Sequence, residues 1–394
     1  MPLFDQIVRT ETRARRQNES SFDYLNTSAR PGVVAMRDLL ENWFERLPVA
    51  ARADIRGRFR DHSEVQHNSA FFELFWHEVL RSCAYEVEIH PVLQDVATNP
   101  DFLVLRKGVP QFYFEATLAM PPGNLGADRR LADLHDTLDR IDSPDFYLEI
   151  QYRGSPEGNI GGRVLRERLE RWLQERDFDE ICRSYQDGNY EVIPSFTWAE
   201  QGLSMTFTPM PKGPEFRGQA GVRPIGVVMP TVGRMLRTHD DIRAAIEGKA
   251  EKYGALELPL VVAVNVMDDH CDDVDVLNAL FGEEQVVAMR QPNGQWRDEW
   301  GIRVPNGAWR GPAGPRKTLV SGAIVTNQLS PSNLGASAVD IIHNPWAAHP
   351  LPQDALPLSQ QSVSLPDGHI HRREGERPAD LLGITEPWPV PDEK

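Results

Sequence analysis

Cysteine is scarce in this chain. Its 394 residues hold three, Cys83, Cys182 and Cys271, far apart and without paired spacing. That pattern supports neither a disulfide framework nor a zinc ribbon, and a reducing compartment is the expectation. Long apolar runs are missing as well. None approaches the ~18 residues of a membrane span, and the N-terminal MPLFDQIVRTETRARRQNESS has no apolar stretch of the kind a signal peptide needs. The expectation is a soluble, cytoplasmic protein with no membrane partner. Positive charge is in deficit: 42 Lys and Arg stand against 58 Asp and Glu, a formal net charge of -16. The molecule as a whole therefore repels phosphate backbones, and any nucleic-acid contact must be local. There is no Walker motif, no nucleophile-elbow signature and no internal repeat, so P-loop ATPase and serine-nucleophile chemistry have little support.

The length allows two or three domains, and the patterning reads as one elaborated domain. Residues 1–60 are a helical N-terminal extension: between Val34 and Phe59 the residues Met36, Leu39, Leu40, Trp43, Phe44 and Leu47 recur at helical spacing. The first part of the core, 61–120, opens with a buried helix, FFELFWHEVLRSCA, which Asn68 or Ser69 can cap. Three strand-like segments follow, YEVEIHPV, PDFLVLRKG and QFYFEATLA, the last two joined across Gly108, Val109 and Pro110 by a loop short enough for a hairpin. Residues 121–235, with the charged helix RVLRERLERWLQERDFDEICRSY and strands near FYLEIQY, SFTWAE and LSMTFTPM, read as an α+β insertion. The core resumes over 236–349 with a helix, DDIRAAIEGKAEKYG, stopped at Gly254, and then LPLVVAVNV, a strand covered on both faces. Residues 350–394 are rich in proline and charge with few apolar positions, and an extended or disordered tail is expected.

Two acids carry the chemistry. Asp101 opens the second strand and Glu115 lies within the third, and hairpin pairing brings side chains of adjacent strands within several ångströms. Such a pair invites a hard cation, Mg2+ or Mn2+, which takes a few carboxylate oxygens, retains waters and serves phosphodiester hydrolysis. Glu73 adds a third acid, on a helix so apolar that an ionised group needs a partner. Plainer readings stand beside these: a turn residue for Asp101, a solvent-facing strand position for Glu115, a contact to His77 one turn along for Glu73. The acidic run MDDHCDDVD, with Asp268, His270 and Asp272, reads as a solvated strand-to-helix turn rather than a calcium loop.

The order helix, three strands, helix, strand, with PDF at the second strand and FEAT at the third, resembles the PD-(D/E)XK nuclease superfamily over residues 68–119 and again over 238–266. The resemblance implies a three-layer α/β/α, restriction-endonuclease-like core with a mixed sheet. It implies metal binding by Glu73, Asp101 and Glu115, and a lysine two places after the last acid that assists the attacking water. That place is held by Thr117, which has no charge to give. Branches related to RecB carry QxxxY on the helix after the third strand; here the segment reads KAEKY, with Lys249 at the glutamine position and Tyr253 matching the tyrosine. Lys249 is the expected replacement, with Lys252 and Lys107 behind it, although an ordinary helix-surface lysine is the plainer reading. The function implied is Mg-dependent cleavage of nucleic acid, DNA before RNA. The alternatives are a binding module on the same fold, or one subunit of a defence or repair assembly with a protein partner or a second copy of itself.

Overall fold

The structure is a computed structural model that describes all residues except 94–97, 121–124, 220–221, 231–236, 269–270, 291–295, 337, 366–367 and 392–394. It divides into two compact units: the first comprises Met1–Arg13, Ser20–Pro121 and Arg237–Lys394, the second Ala14–Glu19 and Pro122–Leu236. The first unit opens with helices Ser21–Thr27 (α1), Pro31–Arg46 (α2), Val49–Phe59 (α3) and Glu64–Ser82 (α4), then strands Glu86–Ile89 (β1), Phe102–Arg106 (β2) and Val109–Ala119 (β3). The second unit holds Leu125–Leu138 (α5), Phe146–Gly154 (β4), Gly162–Gln174 (α6), Phe178–Gln186 (α7), Phe196–Glu200 (β5), Leu203–Pro211 (β6) and Ile225–Pro230 (β7). The first unit resumes with Thr238–Ala250 (α8), Leu260–Val266 (β8), Asp273–Phe281 (α9), Glu284–Arg290 (β9) and Trp296–Arg303 (β10). It ends with Arg310–Gly311 (β11), Gly314–Pro315 (β12), Val320–Asn327 (β13), Asp340–His343 (β14), Ser359–Val363 (β15), Ile370–Arg373 (β16) and Pro378–Leu381 (α10).

An eight-stranded sheet of order β1-β2-β3-β8-β13-β14-β15-β16 organises the first unit. Its centre is parallel, β3 with β8 and β8 with β13, and its flank β1-β2-β3 is an antiparallel meander. Every residue of β8 is buried because the strand is covered on both faces. Val261 and Ala263 join the core formed with α2 and α4, whereas Leu260, Val262, Val264 and Val266 join the core formed with α8 and α9. Helix, sheet and helix thus form three layers, a mixed α/β architecture. Helix α4 is buried almost all round its middle two turns, with Trp76 against Phe114 at 5.0 Å between ring centroids. The second unit has its own four-stranded sheet, order β5-β6-β4-β7, and its own core, in which Leu165, Leu169 and Leu173 form one stripe of α6.

The structure differs from the sequence reading in several places. The helical stretch from Val34 to Phe59 is two helices, because Pro48 cannot continue α2. Residues 1–60 are also no appendage, since Trp43, Phe44 and Phe59 belong to the same core as α4, and Ala14–Glu19 belong to the second unit. The β2–β3 turn is Lys107–Gly108, both at positive φ (51° and 73°), the two-residue geometry that matches strand twist. Val109 and Pro110 already pair with Arg106 and Leu105, and the shift between Val104 and Leu105 accommodates a proline that has no N–H to give.

The tail is the largest correction. Residues 350–394 are neither extended nor disordered over their described length: β15 pairs parallel with β14, β16 pairs with β15, and α10 follows. Leu351, Leu356, Leu358, Ala379 and Ile384 are buried, the Tyr85 hydroxyl donates to the Ala355 carbonyl, and Trp388 Nε1 donates to Pro331 O at 2.9 Å. Gly375 lies so close to Leu358 that a Cβ would sit 2.2 Å from its carbonyl carbon. The segment is poor in apolar residues because each completes a core built by α4 and the sheet, so an average over its own composition hides its role. Leu356→Ala, at a side chain 1% exposed, is expected to cost roughly 2–4 kcal/mol in denaturant unfolding, whereas a dangling tail would leave stability unchanged.

Candidate functional site

Asp101 sits one residue before β2, and its Oδ2 accepts from the backbone N–H of Ala116 at 2.8 Å. That bond ties the start of β2 to β3 beside Glu115. Along β3, Phe112, Phe114 and Ala116 face the α4 core while Tyr113 and Ala119 face the α8 core. Strand alternation therefore aims Glu115 at α8, and its residue is 0% exposed. Lys249 stands in the last turn of α8, where a cation meets the negative end of the helix. Its Nζ donates to Glu115 Oε2 and lies 3.8 Å from Asp101 Oδ2. Tyr253, just beyond the end of α8, donates its hydroxyl to the other oxygen, Oε1, and contacts Asn99 O at 3.4 Å. The two residues singled out in KAEKY thus grip one buried carboxylate from both sides.

Burial pushes the Glu115 carboxyl up, the charge of Asp101 adds to it, and Lys249 and Tyr253 oppose both; the result is about 7. Burial works against the Lys249 ammonium, yet Asp101 and Glu115 outweigh it and hold its pKa above the ordinary lysine value. The Tyr253 hydroxyl is pushed up by burial and by Glu115, so it remains a donor. The cluster keeps an excess of negative charge that Lys249 alone does not cancel.

Glu73 lies on α4, against the opposite face of the sheet. Arg58 of α3 binds it through both guanidinium nitrogens, Nη1 to Oε1 and Nη2 to Oε2, each at 2.7 Å. Burial pushes the Glu73 carboxyl up, Arg58 opposes this, and Asp101 adds to it, which places the two acids within electrostatic reach. The contact to His77 is not made. The His77 ring packs on Phe102 at 6.2 Å between centroids, and its Nδ1 has no hydrogen-bond partner among the described residues. Arg58 is the site residue that sequence reasoning missed. An acid on an apolar helix signals that a cation is needed, but nothing in the local spacing points fifteen residues back.

Thr117 pairs with Val264 of β8 and is partly buried. Lys252 is exposed and offers its carbonyl to Thr98 Oγ1 at 3.0 Å, and Lys107 is exposed in the hairpin turn, so neither reaches Glu115. Asp272 caps α9 through a reciprocal pair with Asp275, as a helix-start turn requires, while His270 lies outside the described residues. Ligand atoms of Glu73, Asp101 and Glu115 do not gather within 4.8 Å. The one such group among the described residues is His239, Asp240 and Glu283. There Arg237 binds Asp240 at 2.8 Å and Glu283 at 3.2 Å, and Arg243 binds Asp240, so the two acids are already engaged in ion pairs.

His77 titrates in a way that can be checked. Burial, then the charge of Arg81, lowers its pKa from 6.5 to about 4. A depressed histidine contributes stability that is fully present above its unfolded pKa and is lost as pH falls towards the folded one. Between pH 7 and pH 5 this amounts to about 2 kcal/mol, which His77→Gln should remove from the pH profile of urea unfolding. An unchanged profile would contradict the buried, neutral ring. The chain matches no family model, no curated protein and no solved structure.

Proposed function

We propose that the protein is a metal-dependent nuclease that hydrolyses phosphodiester bonds of nucleic acid, DNA before RNA, with Asp101, Glu115 and Lys249 at its reacting centre. The observation that carries this reading is the position of Lys249: it leaves α8 to bind Glu115 and to approach Asp101, supplying from a neighbouring element the cation that Thr117 lacks. Asp101 and Glu115 would hold Mg2+ or Mn2+. Two carboxylates whose mutual repulsion helps raise Glu115 to about 7 are short of positive charge, and Asp101 Oδ1 makes no hydrogen bond among the described residues. That donor set suits an ion that takes one or two carboxylates and keeps its waters. Such an ion, when bound, lowers the pKa of a water and offsets charge on the phosphate. The protein's own groups do the positioning. Lys249 places a cation where charge develops in the transition state, Tyr253 fixes the orientation of Glu115, and the Ala116 N–H holds Asp101 in register. Glu73, engaged by Arg58, contributes through its charge on Asp101 rather than as a direct ligand.

One observation favours a second reading. Both oxygens of Glu115 are taken, by Lys249 and Tyr253, which suits a catalytically impaired scaffold that binds nucleic acid or a protein partner within a defence or repair assembly. Two measurements separate the readings. With Mg2+ present, Asp101→Asn, Glu115→Gln and Lys249→Met should each lower cleavage of an oligonucleotide by about 100-fold or more, and calorimetry should find Mg2+ bound by the wild type and lost in Glu115→Gln. A wild type that binds nucleic acid but neither cleaves it nor binds metal selects the scaffold. Cleavage undiminished in all three variants would overturn the assignment of the centre.

A further inference from the structure

The second unit contains a cavity of about 510 Å³ between α5 and the start of α6 that is lined by four arginines, Arg130, Arg140, Arg163 and Arg166, and one acid, Asp133. In a chain of net charge -16 such a gathering of guanidinium groups is unexpected. We propose that this cavity binds a phosphate group, and that the phosphate belongs to a nucleic-acid strand. The second half of the proposal rests on the nuclease reading above; the first does not.

The construction of α6 runs against helix stability and towards an anion. Its first turn carries no acid and its N terminus has no side-chain cap. Glu200 Oε2 accepts from the Gly161 N–H at 3.2 Å, and Arg163 and Arg166 add positive charge close to the positive pole of the helix. Both are paired along the helix, Arg163 with Glu167 at 3.1 Å and Arg166 with Glu170 at 3.7 Å, but in the order cation-then-acid, the weaker direction for such pairs. Arg166 Nε makes no hydrogen bond among the described residues and meets Glu170 Oε1 only at 3.7 Å. Backbone N–H groups and guanidinium forks at a helix start are the donors a phosphate takes.

The neighbouring helix is arranged to complete the cavity. Gly162 approaches Thr137 of α5 so closely that a Cβ there would lie 3.1 Å from the threonine methyl, so the two helices pack tightly at the cavity. Arg130 is held by two hydrogen bonds from Nε and Nη2 to Pro156 O, at 2.9 and 2.7 Å, which fixes its guanidinium at the wall. Arg140 at the end of α5 is exposed and has no ion pair among the described residues. Asp133 is the one negative group on the wall, and its Oδ1 accepts from Asn18 Nδ2 at 2.8 Å. Arg130 fixed at the wall and the exposed Arg140 and Arg163 at the mouth suit a ligand that continues beyond the cavity, as a strand does and a small phosphate does not.

The test is fluorescence anisotropy with short labelled single- and double-stranded oligonucleotides, without divalent metal, on the full chain. Arg140→Glu/Arg163→Glu alters two exposed side chains and should keep the circular dichroism of the wild type. It should bind at least about tenfold more weakly, with the slope of log affinity against log salt smaller by about 2, while Arg140→Lys/Arg163→Lys retains most of the affinity. Arg140→Glu/Arg163→Glu should still bind Mg2+ in calorimetry as the wild type does, so failure of the metal centre and loss of this grip are read separately. Oligonucleotide binding that the charge reversal leaves unchanged overturns the proposal. Pyrophosphate bound in a charge-sensitive way with no oligonucleotide binding overturns the strand and keeps the phosphate; binding of neither overturns both.

Discussion

A carboxylate with no exposed surface sits in the third strand of an eight-stranded sheet, and much of the first unit is arranged around it. Glu115 is 0% exposed, and an isolated ionised carboxylate so placed would be costly by several kcal/mol. Three elements answer it. Helix α8 brings Lys249 in its last turn, the chain just after α8 brings Tyr253, and β8, which lies between β3 and β13, keeps β3 in the parallel centre of the sheet. Asp101, tied to the neighbouring Ala116 N–H, is a second charge that the cluster must accommodate. Removing one partner of such a group leaves the other uncompensated, so the register of β3 and the end of α8 are set jointly.

The same physics recurs on the other face of the sheet with a different solution. Glu73 is nearly as buried, on a helix whose middle turns are buried all round, and Arg58 meets it with a planar fork that matches a carboxylate. Lysine and arginine are not interchangeable in these two places. Arg58 matches both oxygens of Glu73 with its two terminal nitrogens, and its outer edge also reaches the exposed Asp54, through Nε at 3.0 Å and Nη2 at 2.7 Å. Lys249 is a point charge shared between two acids, and it leaves the neighbourhood of Asp101 and Glu115 with negative charge in excess. Asp54 is 56% exposed, so water screens the second charge beside Arg58, whereas Asp101 and Glu115 are both largely buried; a buried arrangement left short of one cation is where a metal can be accommodated.

The acidic balance of the whole chain and a nucleic-acid function are compatible because charge acts over about 10 Å at ordinary salt. Four guanidinium groups line one cavity in the second unit, and the acids beside them, Asp133, Glu167 and Glu170, are fewer than the arginines. Net charge constrains how fast and how indiscriminately such a protein meets a polyanion. It does not decide whether a particular surface can hold one.

Much of the first unit was legible because its signals are local. The FFELFWHEVL helix, the strands around PDF and FEAT, and the both-faces-buried LVVAVNV run follow from period, branching and turn residues within a window of a dozen positions. KAEKY was legible as a spacing that puts Lys249 and Tyr253 four residues apart. The tail was not legible, since Leu356 and Leu358 complete a core supplied by residues some three hundred positions away, and no average over the tail's own composition contains that information. Nor was the partner of Glu73, which pattern reading assigned to a metal or to His77 while the packing of α3 on α4 supplied Arg58. By itself the sequence determined the helices and strands of the core from α4 to β3 and from α8 to β8, and singled out Asp101, Glu115 and Lys249, because those properties depend on neighbours along the chain. Only the tertiary structure decided which charge answers which, because the cost of burying a carboxylate is met by whatever cation the fold brings within about 3 Å, however far away it lies in sequence.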